Sequence, residues 1–202
     1  MGGNEKMTNS EANITLFRAV NDIGKEYPDI NPLFIFFAEY TVYCFMLVLL
    51  FYWLTRNTQN KLMVASAVIS FFIAEVSGKL IGMFYSHQQP FAVWSGVNKL
   101  IEKEVGNSFP SDHTIVFFSV CITIALFRKR FWYLWAALAL LLSISRIYVG
   151  VHYPVDILVG AILGTLSAIF VYKFIARQRW IKKSIALYEK GENSLFNRNK
   201  SI

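Results

Sequence analysis

Charged side chains are scarce in this chain: Asp, Glu, Lys and Arg make up 16% of its 202 residues, while hydrophobic residues make up 55%. A soluble domain usually carries about 25% charged residues, so a water-facing globule fits poorly. Cysteine is nearly absent as well. Cys44 and Cys121 both sit inside apolar runs, which excludes a disulfide framework or a thiolate metal site and predicts two free, buried thiols. The polar stretch Met1–Asn13 lacks the apolar core of a cleavable signal peptide. Internal repeats and low-complexity segments are also missing.

Long apolar runs are abundant. A spanning helix needs about 20 mostly apolar residues. Five stretches come close: Pro32–Thr55, Leu62–Tyr85, Ser111–Phe127, Phe131–Tyr148 and Pro154–Ile175. The last two of the first four are separated only by Arg128, Lys129 and Arg130, which would be costly in hydrocarbon and so read as a tight turn. The prediction is an all-α, integral-membrane helical bundle of about five transmembrane helices, forming a single domain over residues 1–202. Residues 1–31 form an N-terminal segment in which Ile14, Phe17, Val20 and Ile23 recur at three-residue intervals. This spacing fits an amphipathic helix lying on the membrane interface, and equally a helix packed on the bundle. Residues 177–202 read as a basic cytosolic tail, frayed at its end.

The net charge of +7 would suit a nucleic-acid partner, but the basic residues flank apolar segments and form no arm. Membrane topology explains them better. Arg56 and Lys61, the Arg128 triplet and the tail fall on one side if all five spans cross. The positive-inside rule makes that side cytoplasmic and turns the 86–110 loop outward. No feature indicates a homo-oligomer.

The chemistry-bearing residues gather at the outer ends of the spans. Lys79 is followed by His87, Gln89 and Pro90; FPSDHT carries Ser111, Asp112 and His113; SRIYVGVHYPVD carries Ser145, Arg146, His152 and Asp156. Arg146 offers a planar fork to two phosphate oxygens, and Lys79 adds a compact charge. A helix opening at Ser111 would turn free N–H groups toward an anion. An imidazole can attack phosphorus and form a phosphohistidine. His152 and Asp156 are four apart, so a helix would put both on one face, with the carboxylate orienting the ring. His113 suits a general acid and then base. No metal or other cofactor is needed by this scheme. Glu75 is spaced to neutralise Lys79, Glu39 is a bundle contact or a minor site residue, and His87 reads as an exposed loop histidine or one lining the site mouth.

These strings resemble the signatures of the type 2 phosphatidic acid phosphatase family. SRIYVGVHYPVD matches S-R-x5-H-x3-D at every defining position, PSDH resembles P-S-G-H, and the Lys79–Pro90 segment resembles K-x6-R-P. They occur in family order, and the resemblance covers about Leu62 to Tyr172. Within the family, the short length and the AEY stretch are similar to bacterial undecaprenyl-pyrophosphate phosphatases of the BcrC, bacitracin-resistance, type. The resemblance implies metal-independent release of phosphate from undecaprenyl pyrophosphate on the outer leaflet, recycling the cell-wall lipid carrier. It implies His152 as nucleophile, Asp156 as its orienter and His113 as acid–base. Lys79, Gln89, Ser111, Asp112 (through its backbone N–H), Ser145 and Arg146 are then the phosphate binders. The chain departs from the pattern in two places: in the first signature Lys79 is followed by a longer spacing than K-x6-R-P allows and Gln89 stands where Arg precedes the proline, and in the second Asp112 replaces Gly. The alternatives are a phosphatidylglycerophosphate or phosphatidic acid phosphatase, and a non-enzymatic lipid-phosphate transporter.

Overall fold

A computed structural model describes residues 11–198, with side chains described through Glu192. Residues 1–10 and 199–202 lie outside it, so the readings of a polar N-terminus and a frayed end are not addressed. The chain is all-helical: 78% of it is helix, and no strand forms among the described residues. In chain order the helices are α1 (Glu11–Asn21), α2 (Ile23–Glu26), α3 (Asn31–Glu39), α4 (Thr41–Leu54), α5 (Thr58–Phe84), α6 (Pro90–Val93), α7 (Asp112–Arg128), α8 (Trp132–Tyr148), α9 (Pro154–Phe170) and α10 (Arg179–Arg198). A π-helical turn, Val171–Ile175, extends α9.

Local signals set the helix starts. Asn57 caps α5 by accepting from the N–H groups of Gln59 and Asn60, at 2.9 and 3.2 Å. Ser111 caps α7 in the same way, accepting from Thr114 N at 3.4 Å. Pro154 opens α9, where its missing N–H costs nothing. Helix α7 is the central element, packed against α5, α8 and α9. Its buried residues Phe117, Val120, Cys121 and Ile124 join Phe45, Met63, Ala139 and Leu142 in the main core. Gly160 and Gly164 let α9 approach α7 closely, since a Cβ there would sit 3.0 Å from Ser111 O and 2.8 Å from Phe118 Cβ, respectively. Outside this core, Leu158, Ile162, Leu166 and Phe170 form an exposed apolar stripe along α9, and Met46, Leu47, Leu50 and Leu54 another on α4. Such stripes suit lipid. By length and hydropathy α5 and the α9 extension can each cross a membrane, and the bent α3–α4 pair makes a third if it crosses as one span.

Two expectations are modified. The first apolar run is not one helix: it bends by 49° between Glu39 and Thr41. The Thr41 hydroxyl donates to Phe37 O one turn back, an arrangement that bends helices. Cys121 is buried but Cys44 is exposed, on the outer side of α4. The start of the tail is helical. Helix α10 folds back, burying Ile181 and Ile185 against Leu62 and Ala176.

The N-terminal helix α1 packs on the bundle. Its buried face is Asn13, Phe17 and Asn21, set at four-residue intervals. Asn21 Nδ2 donates to the carbonyls of Asn98 and Tyr148, at 2.9 and 2.8 Å, and Arg18 donates to those of Ser95 and Gly96. Helix α1 therefore braces the long 86–111 loop. At the opposite end Lys61 meets Glu192 and Arg128 meets Asn60, so the basic links and α10 cluster together.

Candidate active site

The third motif forms a turn, not a helix face. Helix α8 ends at Tyr148, and Gly150 takes φ +84° where an added Cβ would meet Asn98 O at 2.8 Å. Only glycine suits both constraints. The turn brings His152 back toward the bundle before α9 begins at Pro154, so His152 lies outside the helix that carries Asp156. Asp156 is in the first turn of α9, and its Oδ2 accepts from Tyr153 N at 2.8 Å.

The His152 ring is 3% exposed and its tautomer follows from its neighbours. Nδ1 lies 2.9 Å from Ser108 O, a carbonyl that can only accept, so Nδ1 carries the proton. Asp156 Oδ2 is farther from Nδ1, at 3.4 Å. The carboxylate was expected to hold this nitrogen; the carbonyl is the nearer partner, and the carboxylate supports it electrostatically. The Ser108 hydroxyl, also buried, donates to Asp156 Oδ2 at 2.6 Å. Nε2 then keeps its lone pair and faces Lys103 Nζ at 3.2 Å. Burial pushes the His152 pKa down to about 4, against the opposing pull of Asp156, so the ring is neutral at pH 7.

Lys103, Arg146 and His113 line one cavity of about 410 Å³, together with Glu39, Tyr40, Tyr43, Ile101 and Glu102. Arg146 is 2% exposed. Its Nη1 donates to Ala38 O at 2.6 Å, just before the bend in α3–α4. Its Nε has no partner among the described residues, so the guanidinium retains donors for an anion.

The remaining expected phosphate binders lie elsewhere or are engaged. Lys79 is 72% exposed, pairs with Glu75 at 3.2 Å, and lines a separate cavity of about 360 Å³ with Asp112 and Asn107. Gln89 is buried and its Oε1 accepts from Gly106 N at 2.9 Å. Ser145 donates to Leu142 O of its own helix at 2.6 Å. Ser111 caps α7, and its N–H donates to Asp156 O at 3.3 Å, tying the second motif to the third. Sequence reasoning missed Lys103 and Ser108 and underrated His87. The last is not a free loop histidine: its Nε2 lies 2.9 Å from Asp156 Oδ1.

A buried neutral imidazole whose Nε2 meets Lys103, a residue that shares a cavity with Arg146 and His113, suits nucleophilic attack on a phosphate. Comparison with known proteins agrees. The PAP2 superfamily matches residues 62–180, which is more than half of the sequence. The chain belongs to the PAP2 superfamily. A Bacillus licheniformis protein named bacitracin transport permease protein BcrC is 52% identical over 96% of this chain and 97% of its own length. The undecaprenyl-diphosphatase BcrC of Bacillus subtilis is 29% identical over 91% of this chain and 95% of its own length. In fold, the chain is similar to the crystal structure of Aquifex aeolicus LpxE, with TM-score 0.70, 26% identity, and coverage of 82% of this chain and 98% of that one. These PAP2 likenesses and the apolar helices make the chain an integral-membrane phosphatase.

Proposed function

We propose that this membrane phosphatase hydrolyses undecaprenyl pyrophosphate to undecaprenyl phosphate and phosphate through a phosphohistidine on His152. The observation that carries the reading is the orientation of His152: Nδ1–H is held on Ser108 O and Nε2 is turned to the side of Lys103, which shares a cavity with Arg146 and His113. Nε2 attacks the terminal phosphorus, and the bond to the bridging oxygen breaks. His113 gives that oxygen a proton, and undecaprenyl phosphate leaves. His113 then takes a proton from water, the water oxygen attacks phosphorus, and the P–Nε2 bond breaks. Arg146 holds the phosphoryl oxygens as charge moves onto them. Asp156 stabilises the imidazole as it becomes positive.

The lipid assignment rests on the relatives named undecaprenyl-diphosphatase, among them one from Sulfolobus acidocaldarius that is 30% identical over 76% of this chain. The outward placement of the site rests on charge. The basic 56–61 link, the Arg128–Arg130 turn and α10 lie at the end away from His152, and by the positive-inside rule this supports a cytoplasmic position for that end. Phosphate release at the outer face would recycle the cell-wall carrier and give resistance to bacitracin.

The test is phosphate release by the purified protein in detergent, with EDTA present, from undecaprenyl pyrophosphate, farnesyl pyrophosphate and phosphatidylglycerophosphate. Preference for undecaprenyl pyrophosphate is expected. Preference for the glycerolipid would transfer the assignment to a glycerolipid phosphatase. No hydrolysis of any of them would favour transport, as the name of the licheniformis relative suggests.

A further inference from the structure

The first motif lacks the arginine that the other two lead one to expect. Gln89 brings no charge, and Lys79 is tied to Glu75 beside a different cavity. The loop between Ile101 and Ser108 supplies a cation instead. Lys103 lines the cavity with Arg146 and His113, and none of the ion pairs among the described residues includes it. The loop is held in place: Gln89 takes the Gly106 N–H at 2.9 Å, and Lys99 Nζ donates to Lys103 O at 3.1 Å. Gln89 thus positions the segment that carries the missing charge.

That ammonium meets the nucleophile itself. Nζ lies 3.2 Å from His152 Nε2. An ammonium can only donate, and Nε2 has only its lone pair to offer, because the proton is on Nδ1. The lone pair that attacks phosphorus is therefore covered.

We propose that Lys103 is the second phosphate-binding cation of this site, resting on the attacking nitrogen of His152 until a phosphate group draws it away. The exchange is favourable because a phosphate oxygen brings opposite charge to the ammonium, whereas the neutral imidazole offers it only a lone pair. Binding and unmasking of the nucleophile then occur in one movement. This inference rests on the phosphatase reading above and extends it.

The charged and titratable groups facing Lys103 are Arg146, His113, Glu39 and Glu102 in the cavity, and His152, with Asp112 and Asp156 acting at longer range. Burial and then the Arg146 charge push its pKa down to about 8, while the two aspartates oppose this. The free enzyme should thus lose this charge as pH rises through about 8.

The test uses the full chain in detergent, with undecaprenyl pyrophosphate as substrate and inorganic phosphate as a competing ligand. Lys103→Met should lower kcat/KM and weaken phosphate inhibition by about tenfold or more. Lys103→Arg should recover phosphate binding and keep it above pH 8, where the wild type loses it. Diethylpyrocarbonate should modify His152 faster in Lys103→Met than in the wild type and at the wild-type rate in Lys103→Arg; a disrupted fold would expose His152 too, but would also lower the thermal denaturation midpoint of Lys103→Met, which is expected to stay unchanged. Wild-type kinetics and phosphate inhibition in Lys103→Met, or these losses in Lys79→Ala instead, would overturn the proposal. If the wild type binds phosphate through Lys103 but leaves the lipid pyrophosphate intact, the substrate assignment fails and the cation assignment stands.

Discussion

His87 places Nε2 2.9 Å from Oδ1 of Asp156, so one carboxylate serves two imidazoles. The other oxygen, Oδ2, takes the Ser108 hydroxyl and the Tyr153 N–H and faces His152. The His87 ring sits against Phe109 and Tyr153, at centroid distances of 5.6 and 5.4 Å. His87 therefore fixes Asp156 from behind without entering the cavity. His87→Ala should lower kcat about 10- to 100-fold with a smaller change in KM, as supporting partners of site residues do. His87→Gln, which can place an N–H near the same oxygen, should restore most of the loss. Unchanged kcat in His87→Ala, measured by phosphate release, would remove His87 from the account.

The acid side of the pH profile should belong to His152. Its folded-state pKa is depressed to about 4, so the neutral form needed for attack dominates above that pH. The kcat/KM, which reports the free enzyme, should rise with pH through about 4 and be level by pH 6. In Asp156→Asn the raising influence of the carboxylate is gone, so the limb should move lower while kcat falls about 10³-fold or more. An acid limb that does not move in Asp156→Asn would show that the carboxylate does not act on His152.

At the far end of the bundle Lys61 is 1% exposed and is held by Glu192 at 2.5 Å and Glu189 at 3.7 Å. The two carboxylates keep 24% and 20% exposure for Glu189 and Glu192, so the pair is asymmetric. Removing both acids strands a buried ammonium and should cost about 3–5 kcal/mol. Replacing Lys61 with Met leaves the acids in reach of water and should cost less. Thermal denaturation in detergent should rank Glu189→Gln/Glu192→Gln below Lys61→Met, with turnover at 25 °C preserved in both because the site is at the other end.

How much of this was legible depends on the range over which each contact acts. Arg146, His152, Asp156 and His113 stand in short strings whose residue types imply their chemistry. Ser108 and His87 reach the site across 44 and 69 residues, and nothing local marks them. Lys103 sits among Lys99, Glu102 and Glu104 and reads as ordinary loop charge until the fold buries it. The pairing of Glu75 with Lys79 follows the four-residue spacing, and it is this pairing that occupies the lysine expected in the phosphate cradle. The bend at Tyr40 depends on a side-chain bond by Thr41, which apolar content does not register. Helix α10 did leave a signal: Ile181, Ile185, Tyr188 and Glu192 fall on one face, the face turned to the bundle.

The central claim is that His152 carries the phosphoryl group. Its most direct test is rapid quenching of the protein with undecaprenyl pyrophosphate labelled in the terminal phosphate, followed by mapping of acid-labile, base-stable label. Label on the His152 peptide of the wild type, increased in a His113→Ala variant that retains slow attack and absent from His152→Ala, is the expected result. Substantial turnover by His152→Ala, or label on another residue, would contradict the account.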